Sequence, residues 1–149
     1  MSKTFNAEEA ENLEDIEKQF AVKAVEQAQT YWGLLEKVPG SKLKLTSDDD
    51  VIYDHLLREF PEFHEGGIWS KVIDEDMMKT KSGKERWRNF CNVYEKIIDD
   101  YNFGTLLRLD PAGEYNEKNT MFALRIQFYA IEILRNKRGM NNWVAAKSS

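Results

Sequence analysis

Cysteine, histidine and proline are all scarce in this chain of 149 residues: one, two and three copies respectively. A lone thiol, Cys91, excludes an internal disulfide. With only His55 and His64 beside it, no standard spacing for a structural zinc site exists. Long apolar runs are missing too. No segment is long enough to cross a bilayer, and the opening MSKTFNAEEAEN lacks the apolar stretch of a signal peptide. Basic charge is not in surplus either, and a net charge of −5 argues against general nucleic-acid binding. Neither phosphate-binding glycine motif occurs, and no serine sits in a nucleophile elbow. Ser82-Gly83-Lys84 only echoes a phosphate loop, since no strand precedes it. These absences predict a soluble, cytoplasmic, monomeric protein without cofactor or metal, and without membrane or direct nucleic-acid partners.

What is present is apolar and aromatic content, 42% and 12%, enough for one globular domain with one sizeable core. Charge is unevenly spread. Glu8, Glu9, Glu11, Glu14, Asp15 and Glu17 crowd the start, whereas after Met121 five cations face a single acid, Glu132. Such asymmetry either steers a charged partner or lets two oppositely charged helices pack together.

Helical spacing runs from Ala7 to Val38 (Leu13, Ile16, Phe20, Ala24, Tyr31, Leu34) and stops at Pro39-Gly40. Lys42–Leu45 reads as an extended link. Thr46 or Ser47 is expected to cap a helix that opens on Asp48-Asp49-Asp50 and ends at Pro61. Residues 62–72 read as a loop, and Ile73–Met78 as one or two helical turns. A capping box, Ser82-x-x-Glu85, precedes a helix expected to reach Tyr101. Thr105–Leu109 and Asn119–Ala123 are expected to pair as a small hairpin across Asp110-Pro111-Ala112-Gly113. A last helix spans about Leu124–Arg138, apolar nearly all round, with Gly139 past its end. The expected fold is therefore mainly α, a single-domain bundle of four to five helices with a β-hairpin near 105–123. The domain is expected over 7–143, between flexible ends at 1–6 and 144–149.

The residues that could carry chemistry read as structural. Cys91 lies mid-helix on the face of Trp87 and Tyr94, where a thiol behaves as a small hydrophobe. The aspartate triplet at 48–50 lacks calcium-loop spacing and suits a helix start. His55 and His64 read as rim or surface residues. Two basic features stay open. Lys79, Lys81, Lys84, Arg86 and Arg88 surround Trp87, with Lys84 and Arg88 on one helix face: a solvated ridge or a patch for an acidic partner. Arg125, Phe128, Glu132 and Arg135 form a stripe: a core edge with salt bridges or a partner-facing surface.

The stretch Tyr101–Gly139 is the most informative, because it sets Arg108, Arg125, Arg135 and Arg138 among large aromatic and aliphatic residues. Guanidinium and aromatic groups together make recognition surfaces, so binding rather than catalysis is expected. The motifs KERWRNFC (Lys84–Cys91), DYNFGTLLRLD (Asp100–Asp110) and NTMFALRIQFYAIEILRNKRG (Asn119–Gly139) resemble one eukaryotic family, as does KLKLT (Lys42–Thr46) before its acidic helix. This is the family called polysaccharide biosynthesis domain-containing protein 1, and the opening MSKTFNAEEAENLEDIEKQF looks like that of its fungal members. The resemblance implies a mainly helical cytosolic chaperone that binds nascent translation elongation factor 1-alpha at the ribosome as its GTP-binding domain emerges. It carries no catalytic residues. The family label points instead to an enzyme of glycan metabolism, and a stable subunit of a ribosome-associated assembly is the third alternative. No paired-carboxylate or nucleotide-sugar constellation is visible. From composition and placement, the expected contact residues are Phe103, Arg108, Arg125, Phe128, Arg135 and Asn136.

Overall fold

The computed structural model describes residues 7–148, with side chains over 21–147. The expected loose residues 1–6, and the side chains of the acidic head, lie outside the described residues. The chain is mostly helical with one small antiparallel sheet. Six α-helices occur among the described residues, against the four to five expected.

Helix α1 (Ala7–Lys37) stops before Pro39-Gly40 as the sequence predicts, and buries Ala24, Ala28, Tyr31 and Leu35 along one stripe. In α2 (Asp49–Glu59) the start is fastened differently from expectation. Its first residue, Asp49, reaches back and accepts hydrogen bonds from the Leu45 and Thr46 N–H groups and the Thr46 hydroxyl. Ile52, His55 and Leu56 face inward. The following loop holds Phe63 and Trp69, both buried, so it contributes core rather than only connection.

A four-residue helix α3 (Glu75–Met78) leads directly into α4 (Lys81–Asn92). Here the capping box fails. Thr80, not Ser82, caps α4, accepting the Gly83 N–H at 3.1 Å. Gly83 allows this tight turn, because a Cβ there would lie 2.6 Å from the Met78 carbonyl. Helix α4 also ends at Asn92 rather than Tyr101. The chain then tightens to three-residue bonds (Tyr94 N–H to Cys91 O, Ile97 N–H to Tyr94 O), which still keeps Tyr94 and Ile98 in the core.

Around Phe60 an aromatic cluster forms: its ring stacks on Trp87 at 4.1 Å and meets Phe90 edge-on at 5.9 Å. His55 stacks on Phe90 at 4.4 Å and shares a 2.8 Å hydrogen bond with the Tyr94 hydroxyl. Strands β1 (Gly104–Arg108) and β2 (Thr120–Leu124) make the expected hairpin. Thr105, Leu107, Met121 and Ala123 form its buried face. Helix α5 (Arg125–Lys137) is buried nearly all round, and Gly139 follows it at φ +72°. The C-terminal segment departs from expectation. Residues Asn142–Ser148 form helix α6, whose Val144 is buried and whose Trp143 indole N–H donates to Pro111 O at 2.9 Å. Among the described residues no helix is long and apolar enough to cross a membrane.

Candidate functional site

Four of the six expected contact residues lie inside the protein. Arg108 is 0% exposed and Arg135 1%, while Phe128 and Asn136 are buried too. They do not face a partner, and the physical reason is an internal polar network that satisfies most of their charge, with Arg108 Nε left unpartnered. Glu132 sits between the two guanidinium groups, 2.9 Å from Arg135 Nη1 and 3.4 Å from Arg108 Nη2. Two cations against one carboxylate leave positive charge over, and four main-chain carbonyls take it. Pro111 and Gly113 accept from Arg108, and the carbonyls of Arg108 and Leu109 accept from Arg135, all at 2.7–3.0 Å. Asn141 links Arg108, Glu132 and Asn136, and Asn136 donates to the Tyr31 hydroxyl. The Arg108 guanidinium also lies over the Trp32 ring, 5.2 Å from its centre. Burial pushes the Glu132 carboxyl up, but the guanidinium groups of Arg135 and Arg108 outweigh it and hold the carboxyl below its usual range. This constellation fastens α1, β1, α5 and the turn that precedes α6 together. It is architecture, and it places Phe128, Glu132 and Arg135 of the α5 stripe in the core.

Phe103 and Arg125 differ. Phe103 is 42% exposed, Arg125 is half-buried, and the Arg125 N–H donates to Phe103 O at 2.8 Å. Beside them lies a groove of about 550 Å³ between α4 and the hairpin. Its floor is Met78, Trp87, Cys91 and Met121, and its rim carries Lys84, Arg88, Phe122 and Leu124. Phe122 is 59% exposed. No acidic side chain among the described residues lines this groove.

The basic ridge read in the sequence thus divides by its partners. Arg86 turns away, paired with both carboxylate oxygens of Glu62 at 2.6 and 2.9 Å, its guanidinium over Phe60. Lys79 pairs with Glu75. Lys84 and Arg88 make no ion pair among the described residues and stand on the groove rim. Phe122 and Leu124 are the contact candidates that composition missed. The signal was present in TMFAL, a strand apolar on both faces, although one of them is largely exposed.

The groove offers shape, apolar surface and positive charge, not a nucleophile. Burial pushes the Cys91 thiol in its floor up to about 12, so it stays protonated at neutral pH. His55 is held below its ordinary value, first by burial and then by Arg58. Among the described residues no group of His, Cys, Asp and Glu could hold a metal ion.

Comparison with known proteins adds a lineage. Residues 16–146 match the family model described as PBDC1 protein. The chain is similar to a PBDC1 homologue of Saccharomyces cerevisiae, 58% identical over 144 residues, covering 97% of this chain and 98% of the relative. A homologue of Schizosaccharomyces pombe is 53% identical with 97% of each chain covered. The human PBDC1 protein is 44% identical over 93% of this chain, which spans 57% of the human one. A solution NMR structure of a Saccharomyces cerevisiae protein superposes with a TM-score of 0.83 at 57% identity, covering 97% of this chain and 99% of the other. Sequence and fold agree across nearly the whole length, and the chain belongs to the PBDC1 protein family.

Proposed function

We propose that this protein is a cytosolic, ATP-independent chaperone. It holds newly made translation elongation factor 1-alpha while the GTP-binding domain emerges at the ribosome and folds. In this reading residues 7–143 act as one helical-bundle domain that presents a single capture surface. One observation carries the proposal: exposed Phe103, Phe122 and Leu124 gather at one end of the hairpin beside Lys84 and Arg88, which make no ion pair among the described residues. Apolar side chains gathered at a charged rim mark interaction sites, since leaving them in water is unfavourable. A client that exposes apolar surface only before it finishes folding fits this groove, and burial of that surface within the client drives release. Nucleotide chemistry by this chain is not required. The identity of the client rests on the family resemblance of the motifs at 84–91, 100–110 and 119–139.

The test is capture of the tagged full-length protein from cells with translation running or blocked. Elongation factor 1-alpha is expected to accompany it only while translation runs. Persistence of the same partner after the block indicates a permanent subunit instead, and recovery of no protein partner sinks the proposal.

A further inference from the structure

We infer that the groove captures its partner by strand addition: an extended, acidic segment pairs with the outer edge of β2 and sets a carboxylate beside Lys84 and Arg88. The inference rests on the protein-binding reading above and names the chemistry of the segment bound.

Two bonds just beyond the strands determine which main-chain groups face outward. Arg125 N–H donates to Phe103 O, and Leu109 N–H to Asn119 O, each at 2.8 Å. The register between them opposes Thr105 to Ala123, Leu106 to Phe122 and Leu107 to Met121. Opposed residues in an antiparallel ladder alternate between bonded and non-bonded pairs. Thr105–Ala123 and Leu107–Met121 are therefore bonded, and Thr120, Phe122 and Leu124 turn their N–H and C=O groups away from β1. The Leu124 N–H is taken by the Gln127 side chain at 2.8 Å. Phe122, at the centre of the strand, keeps both groups free among the described residues.

The opposite edge is treated differently. On β1 the outward carbonyl of Leu106 accepts from the Tyr115 hydroxyl, and that of Arg108 from Arg135. Two outward carbonyls of β1 are taken by the protein's own side chains, whereas at Phe122, the centre of β2, neither outward group is, among the described residues. Open edges are normally blunted by charge or proline, and the strand TMFAL carries neither. Main-chain pairing along such an edge supplies affinity without demanding a particular sequence. The charge of the segment follows from the rim. Among the described residues Lys84 and Arg88, without ion pairs, and Lys79, paired with Glu75, line the groove with no acid, in a protein whose net charge is −5, so the field there runs against the molecule as a whole.

Phe122→Pro removes the outward N–H without touching a bond of the hairpin, and proline is tolerated on edges. Phe122→Val keeps the N–H and an apolar side chain. Both full-length variants are titrated with short overlapping peptides of elongation factor 1-alpha and with random acidic peptides. Amide hydrogen exchange at Phe122 is followed in the unsubstituted protein. Acidic extended peptides are expected to bind and to slow exchange at Phe122. Proline should weaken them about tenfold or more, valine by less than about threefold. Equal loss in both variants, preference for basic peptides, or Phe122 exchange unchanged at saturation overturns strand addition. If proline disturbs the fold, the exchange measurement decides. Failure here with translation-dependent capture intact leaves the proposed function standing. Random acidic peptides held through Phe122 without capture of elongation factor leave strand addition standing and remove the client.

Discussion

Replacing Glu132 by glutamine should be among the most damaging conservative changes this protein can suffer. The substitution preserves shape and one carbonyl acceptor, so Asn141 and Arg108 keep a partner, but the carboxylate between Arg108 and Arg135 disappears. Both guanidinium groups are almost wholly removed from water. The four main-chain carbonyls then face two uncompensated charges, and removing one partner of a buried ion pair costs about 3–5 kcal/mol. For a chain of this size that corresponds to a fall in Tm of about 6–20 °C. Acidity supplies an internal check. The folded-state carboxyl is held below its ordinary value, so its contribution is complete above the unfolded pKa, near 4.3, and fades as pH falls through the folded value. The gap in Tm between parent and variant is thus largest near neutrality and closes in acid. Scanning calorimetry across that range measures both. A gap under about 1 kcal/mol at pH 7, or one that widens in acid, refutes the assignment of Glu132 as the charge that makes burial of both arginines tolerable.

Gly40→Ala should cost about 1–3 kcal/mol in urea unfolding, because the new Cβ would lie 2.3 Å from Asn136 Oδ1 and break its bond to Asn141. An unchanged midpoint would mean that this corner yields freely. Arg125 and Arg135 of α5 should separate cleanly by circular dichroism. Arg135→Glu puts a second carboxylate beside Glu132 and collapses the helical signal, whereas Arg125→Glu, at the half-buried start of α5, leaves it intact. Equal behaviour of the pair would contradict their opposite placement.

Local signals were legible wherever the cause was local. The stripe of α1, its stop at Pro39-Gly40, the hairpin across 105–123 and Gly139 after α5 each depend on spacing within a few residues, and each appears in the structure. Capping of α4 is also local, yet two hydroxyls compete there, and contact between Gly83 and the carbonyls of α3 selects Thr80 over Ser82. The C-terminal helix, expected as a flexible end, is instead fixed by remote anchors: Trp143 bonds to Pro111, 32 residues earlier.

The arginines show the same division. Composition alone says that cations and aromatics mingle between residues 101 and 139, and the mainly helical content with its small hairpin follows from periodicity and turn chemistry. Which cations face water was decided only by tertiary structure. Arg108 and Arg135 found Glu132, Asn141 and a set of carbonyls and went inside. Lys84 and Arg88, on the rim of the groove between α4 and the hairpin, meet no acid among the described residues and stayed out. A side chain's helix position is set by its neighbours in sequence. Whether a charge can leave water depends on partners that only the folded chain brings within hydrogen-bond distance.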